Sequence, residues 1–131
     1  MPEEGSVGAT GGPYPAAMER MEADSKPRVL LANEPRSYRQ AMADVLRALR
    51  PGLEVAGTEQ AAIDRELRRS VPQLVICSRA TPALRGSAPA WIELYTDNGP
   101  LSSVAIGKER SMVPEIELVD ILLIVDWVLS S

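Results

Sequence analysis

Gln73-Leu74-Val75-Ile76-Cys77-Ser78 is an unbroken apolar run with polar ends, preceded by Pro72. A strand with one wet face alternates apolar and polar side chains, whereas a strand covered on both faces is apolar throughout. The run is also short and rich in β-branched residues, so it predicts a central strand of a parallel sheet. Arg28-Val29-Leu30-Leu31-Ala32 repeats the pattern and runs out into Asn33-Glu34-Pro35. Between the two, residues 36–50 place Tyr38, Met42, Val45, Leu46 and Leu49 on one helical face, with Arg39, Arg47 and Arg50 largely elsewhere, until Pro51-Gly52 stops the helix. Leu53-Glu54-Val55-Ala56 reads as a short second strand. Thr58 then suits the cap of a helix lined by Ala62, Ile63 and Leu67, which ends at Val71-Pro72.

Beyond Ser78 the pattern changes. Residues 79–90 are irregular, with Pro82, Gly86 and Pro89, and Trp91–Tyr95 and Ser102–Ile106 are strand-like runs separated by Asp97-Asn98-Gly99-Pro100. Five strands interleaved with at least three helices predict an α/β fold. The segment from Pro114 to Leu129 is too long for one strand and opens with a proline and acids, which suits a helix amino end. On that helix Leu118, Leu122, Val125 and Leu129 share a face. The other side mixes Glu117 and Asp120 with Ile121, Ile124 and Val128, more apolar than a solvated surface. Either a loop or the amino-terminal tail covers these groups, or they meet another molecule. Glu117, Ile121, Ile124 and Val128 are therefore the candidate partner-binding residues, for a protein partner or a second copy of the chain.

At 131 residues the chain has room for one domain. Residues 1–26 mix Gly, Pro, Ser and acids with few large apolar groups and read as a disordered tail, leaving 27–131 as the folded unit. With no Phe, the core is built from Leu, Val, Ile, Ala and Met. Histidine is absent, so Ser-His and Cys-His nucleophile pairs and most zinc sites cannot be assembled within this chain. The lone Cys77 allows no internal disulfide and lies in an apolar run, the setting of an inert thiol. A net charge of −4 without aromatic-basic clusters gives no footing for nucleic acid. No signal peptide is read at the amino terminus, and no apolar segment is long enough to span a bilayer, so a cytoplasmic location is expected. No metal or cofactor is called for by any motif.

The order of these pieces resembles the receiver domain of bacterial response regulators, over about residues 27–131. Asn33-Glu34 after the first strand looks like the family's acidic pair, and Arg39 with its helix continues the match. Ser78 stands where the family carries its phosphate-accepting aspartate. Thr96 looks like the switch residue after the fourth strand, Lys108 like the phosphate-contacting lysine after the fifth, and Pro114–Leu129 like the final helix. The resemblance implies a doubly wound, flavodoxin-like sheet of five strands. Residues 79–90 and 97–102 are too short for full third and fourth helices, so a trimmed version is expected, in which the last two strands are either parallel or an antiparallel hairpin.

The substitutions at Asn33 and Ser78 remove the receiver chemistry. Phosphoryl transfer to a carboxylate needs that carboxylate and a Mg²⁺ ion held by two or more acids. Here only Glu34 remains, and a serine hydroxyl without a base is a poor nucleophile. The expected function is a non-enzymatic regulatory or adaptor module that binds protein without being phosphorylated. The alternative is a small-molecule-binding domain or minor enzyme using the crevice at the strand carboxyl ends, where Asn33, Glu34, Ser78 and Arg79 converge.

Overall fold

The computed structural model describes residues 26–130. The expected tail falls almost wholly on residues 1–25, which lie outside the described residues. Within them the chain runs β1 (Arg28–Leu31), α1 (Arg36–Leu49), β2 (Glu54–Gly57), a 3₁₀ turn (Gln60–Ala62), α2 (Ile63–Arg69), β3 (Leu74–Cys77), α3 (Pro82–Ser87), β4 (Ala90–Glu93), a second 3₁₀ turn (Thr96–Asn98), β5 (Leu101–Ile106), β6 (Glu109–Pro114) and α4 (Leu118–Ser130).

The strands form one six-stranded sheet in the order β2-β1-β3-β4-β5-β6. The first four pair in parallel, with Val29 beside Leu74 and Val75 beside Trp91. β5 and β6 reverse direction: Ala90 lies beside Ile106 and Glu93 beside Ser103, and β6 folds back along β5. The fold class is thus α/β with a mixed sheet, and the open choice for the last pair resolves as antiparallel. Two sequence expectations are corrected here. The sheet has six strands among the described residues instead of five, because residues 109–114 form an edge strand that a mixed polar run did not announce. Pro114 ends that strand and does not open the final helix. Glu115 N–H bonds back to the Pro100 carbonyl at 2.8 Å, so alternation turns the nitrogen of Pro114 away from β5, where a missing N–H costs no ladder bond.

Continuously apolar strands need cover on both faces, and the core divides accordingly. Val29, Leu31, Ile76, Ile92 and Val104 pack under α1 and α4 through Met42, Leu46, Ile121 and Val125. On the other face Leu30, Val75, Cys77 and Trp91 pack under α2 and α3 through Ile63, Leu67 and Leu84. The region expected to lack its helices keeps the short α3, started by Pro82 behind Thr81, whose Oγ1 accepts the Leu84 N–H at 3.1 Å. A 3₁₀ turn, and not an α-helix, joins β4 to β5, and from β6 the Arg110 guanidinium lies over the Trp91 ring, 4.7 Å from its centre.

Local signals were met unevenly. Thr58 caps nothing: its N–H continues the sheet to Leu31 O at 2.8 Å, and the helix behind it begins as a 3₁₀ turn at Gln60. In α1 the buried set is Arg39, Met42, Ala43 and Leu46, whereas Leu49 is exposed. Arg39 turns inward because Glu59, just past the end of β2, offers a carboxylate at 3.3 Å.

Candidate functional site

The parallel strands β1, β3 and β4 share a carboxyl end, and their connections open a crevice of about 990 Å³ between Glu34, Pro35, Ser78, Arg79, Arg85, Glu93 and Tyr95. Ser78 follows β3, and its Oγ accepts the Glu34 N–H at 2.8 Å, which joins the two strand ends. The turn after Ser78 is held by Gln60, a buried side chain whose Oε1 accepts the N–H groups of Ser78 and Arg79 at 2.9 and 3.1 Å. Its Nε2 donates to the Arg79 carbonyl at 2.7 Å. Glu93, at the end of β4, accepts the Ala80 N–H at 3.2 Å and lies 3.8 Å from Arg85. Sequence reasoning missed both Gln60 and Glu93. Position at the end of the fourth strand marks Glu93, but no local signal distinguishes Gln60 from a surface glutamine.

Asn33 is fully buried at the end of β1, and among the described residues neither its Oδ1 nor its Nδ2 has a hydrogen-bond partner. Thr96 follows β4, but its hydroxyl donates to the Leu101 carbonyl at 3.1 Å and so closes the loop into β5. Lys108 is not at the crevice. Because β5 runs antiparallel, its last residue lies beside the first residue of β4, and Lys108 sits in the exposed hairpin turn at the opposite end of the sheet from Ser78. Asn33, Glu34 and Ser78 are thus brought to one end, Thr96 nearby, and Lys108 is excluded. No family model, curated protein or solved structure matches this chain.

Chemically the crevice is a structured turn with two exposed arginines at its rim. Among the described residues no three acidic, cysteine or histidine side chains cluster as metal ligands. The Ser78 oxygen already accepts the Glu34 backbone N–H. Cys77 lies beneath in the core, where burial, reinforced by the Glu93 charge and opposed by Arg85 and Arg79, pushes the thiol up to about 12. At neutral pH it carries almost no thiolate and is not a nucleophile. Tyr95 forms the far wall. Its backbone is left-handed at φ 50°, its N–H bonds Ser102 Oγ at 2.8 Å, and its phenol donates to the Ile116 carbonyl at 3.0 Å, just ahead of α4. Desolvation raises the Tyr38 phenol above its usual range, with the neighbouring Tyr95 phenol adding to the effect.

The second candidate surface is α4. Ile121 and Val125 are fully buried, so Ile121 belongs to the core and not to a contact surface, which corrects the sequence assignment. Ile124 and Val128 are half-buried against the same cluster, and Glu117 is exposed. What α4 presents to solvent is Val119, Leu123 and Trp127, at 56, 63 and 63 % exposure. They recur every four residues and form one line. Next to that line a mostly apolar groove of about 160 Å³ is edged by Val104, Ile106, Val113, Ile124 and Trp127, with Glu109 and Ser111 of β6 also lining it. Buried Ile121 and Val125 hold the helix in this rotation, Asp126 takes a two-pronged contact from Arg50 at 2.7 and 2.8 Å, and Asp120 accepts the Glu117 N–H at 2.9 Å at the helix amino end.

Proposed function

We propose that the chain is a phosphorylation-independent regulatory or adaptor module that acts by protein–protein binding, on a receiver-like, flavodoxin-like scaffold whose phosphorylation chemistry is gone. The observation that carries this reading is the solvent-exposed apolar line Val119, Leu123 and Trp127 beside the groove at β5 and β6. Burying each of these side chains is worth roughly 1.5–3 kcal/mol, so a chain that leaves three of them in water gains strongly from any surface that covers them. The departures at the crevice point the same way. Ser78 replaces an acceptor carboxylate, Asn33 replaces a metal-binding acid, and Lys108 lies at the wrong end to contact a phosphoryl group.

A photo-activatable amino acid at position 123, in the cell that makes the protein, tests the reading. The expected result is a discrete cross-linked species from position 123 and none from the exposed position 65 on α2. Equal labelling from both positions, or no adduct from position 123, overturns it. The second reading, a small-molecule site at the strand carboxyl ends, is favoured by the size of the crevice and by Arg79 and Arg85 at its rim. Against it, the Ser78 oxygen and the Arg85–Glu93 pair are already engaged within the fold.

A further inference from the structure

From the α4 surface we infer that the partner presents a basic amphipathic helix, which lies along α4 with its apolar side on Val119, Leu123 and Trp127 and its lysines or arginines over an acidic rim. This rests on the reading that α4 is a binding face and names the chemistry of what it binds. Val119 and Trp127 are separated by about 12 Å of helix rise, so the exposed line offers the length of two helical turns. A helix with apolar side chains at intervals of three and four residues matches it. The adjoining groove of about 160 Å³ is smaller than the roughly 300 Å³ at which metabolite pockets begin, and it suits an anchoring side chain between α4 and the β5–β6 pair. A helix placed there rests on the same face of the sheet as α1 and α4 themselves.

The rim selects the sign of the partner. Asp120 and Asp126 lie three residues to either side of Leu123, so at about 100° per residue they stand about 60° to opposite sides of the exposed line. Glu109 lines the groove from β6, and Glu117 is exposed just ahead of the helix. Asp126 meets Arg50, but among the described residues no ion pair engages Glu109, Glu117 or Asp120. Bases are kept away from this surface. No Lys or Arg follows Arg110, whereas residues 111–131 hold four acids. Arg110 itself is turned to the Trp91 ring in the cluster on the other face of the sheet, and Lys108, in the hairpin turn, does not line the groove. A second copy would lay acidic rim on acidic rim, and an anionic membrane would meet the rim with like charge. A basic segment gains from the apolar line and from the acids around it, which also steer its approach.

Two synthetic peptides without tryptophan test this. They share a leucine row of helical spacing and differ in their polar positions, all lysine in one and all glutamate in the other. Each is titrated into the full chain while the indole N–H signals of Trp127 and Trp91 are followed by NMR. The lysine peptide is expected to shift Trp127 and leave the buried Trp91 in place. It is expected to bind about tenfold more tightly than the glutamate peptide and to weaken as salt rises, since rim pairs contribute up to about fivefold each. Glu109→Lys is expected to weaken its binding about two- to fivefold. Glu54→Lys, the same charge change on the opposite edge strand, is expected to leave the affinity unchanged. Equal affinity for the two peptides, no shift at Trp127, or equal losses from Glu54→Lys and Glu109→Lys overturns the inference. The segment cross-linked from position 123 separates it from the reading beneath it. If that segment is acidic or uncharged, or belongs to a second copy of this chain, the inference fails and the binding reading stands. If position 123 gives no adduct, both fail.

Discussion

Gln60 makes three hydrogen bonds with one side chain and fixes the backbone of Ser78 and Arg79 at the mouth of the crevice. Truncation to Ala would strand two N–H groups and a carbonyl in a partly buried site, so Gln60→Ala is expected to lower unfolding free energy by about 1–3 kcal/mol. Urea denaturation followed by circular dichroism measures this. A change within about 0.5 kcal/mol, as for an ordinary surface substitution, contradicts the assigned role. At this scale the sequence was legible where a residue's position along a strand determines its place: Asn33, Glu34 and Ser78 follow β1 and β3 and do meet at one end of the sheet. It was illegible where a contact joins distant segments. Gln60 reaches across to β3, Arg39 turns inward to Glu59, and neither partner can be read from local spacing. Lys108 was misplaced for a different reason, since its location depends on the direction of β5, which its own neighbours do not specify.

Among the elements, the β5–β6 hairpin departs furthest from expectation. Ile106 pairs with Glu109 across a two-residue turn, and of Gly107 and Lys108 only Gly107 has a positive φ, +60°, as in a type II′ turn. A side chain in that conformation meets the adjoining carbonyl, so Gly107→Val is expected to cost about 1–2 kcal/mol, although no atom lies within 4 Å of the added Cβ. The same denaturation measurement checks it, and an unchanged midpoint would show that the turn relaxes to another type without cost. The strands and α1 were readable because their apolar runs and stripe have one consistent period. The rotation of α4 was not. A helix apolar nearly all round has no polar face to set its phase, and which apolar residues enter the core is decided by the fit of Ile121 and Val125 under the sheet, with Arg50 meeting Asp126 from beyond the end of α1. Ile121 was consequently read as surface and proves to be core, while Val119, Leu123 and Trp127 take the outer side.

For the molecule as a whole, the α/β architecture with helices on both faces followed from continuously apolar strands that require cover twice over. The sixth strand did not follow, because an edge strand with one wet side and a terminal proline carries little apolar signal. That same outer hairpin leaves sheet uncovered beside α4, and the apolar groove there joins the exposed line of the helix. Tyr95 links the two ends of this picture, lining the crevice while its phenol holds the Ile116 carbonyl ahead of α4. Hydroxyl-radical footprinting separates α4 from the crevice as the working surface. The purified chain in dilute solution is compared with the chain in concentrated extract of the cell that makes it. Protection is predicted at Leu123 and Trp127, with unchanged oxidation at Tyr95. Protection at Tyr95 with none at Leu123 or Trp127 would contradict the account and place the contact at the crevice.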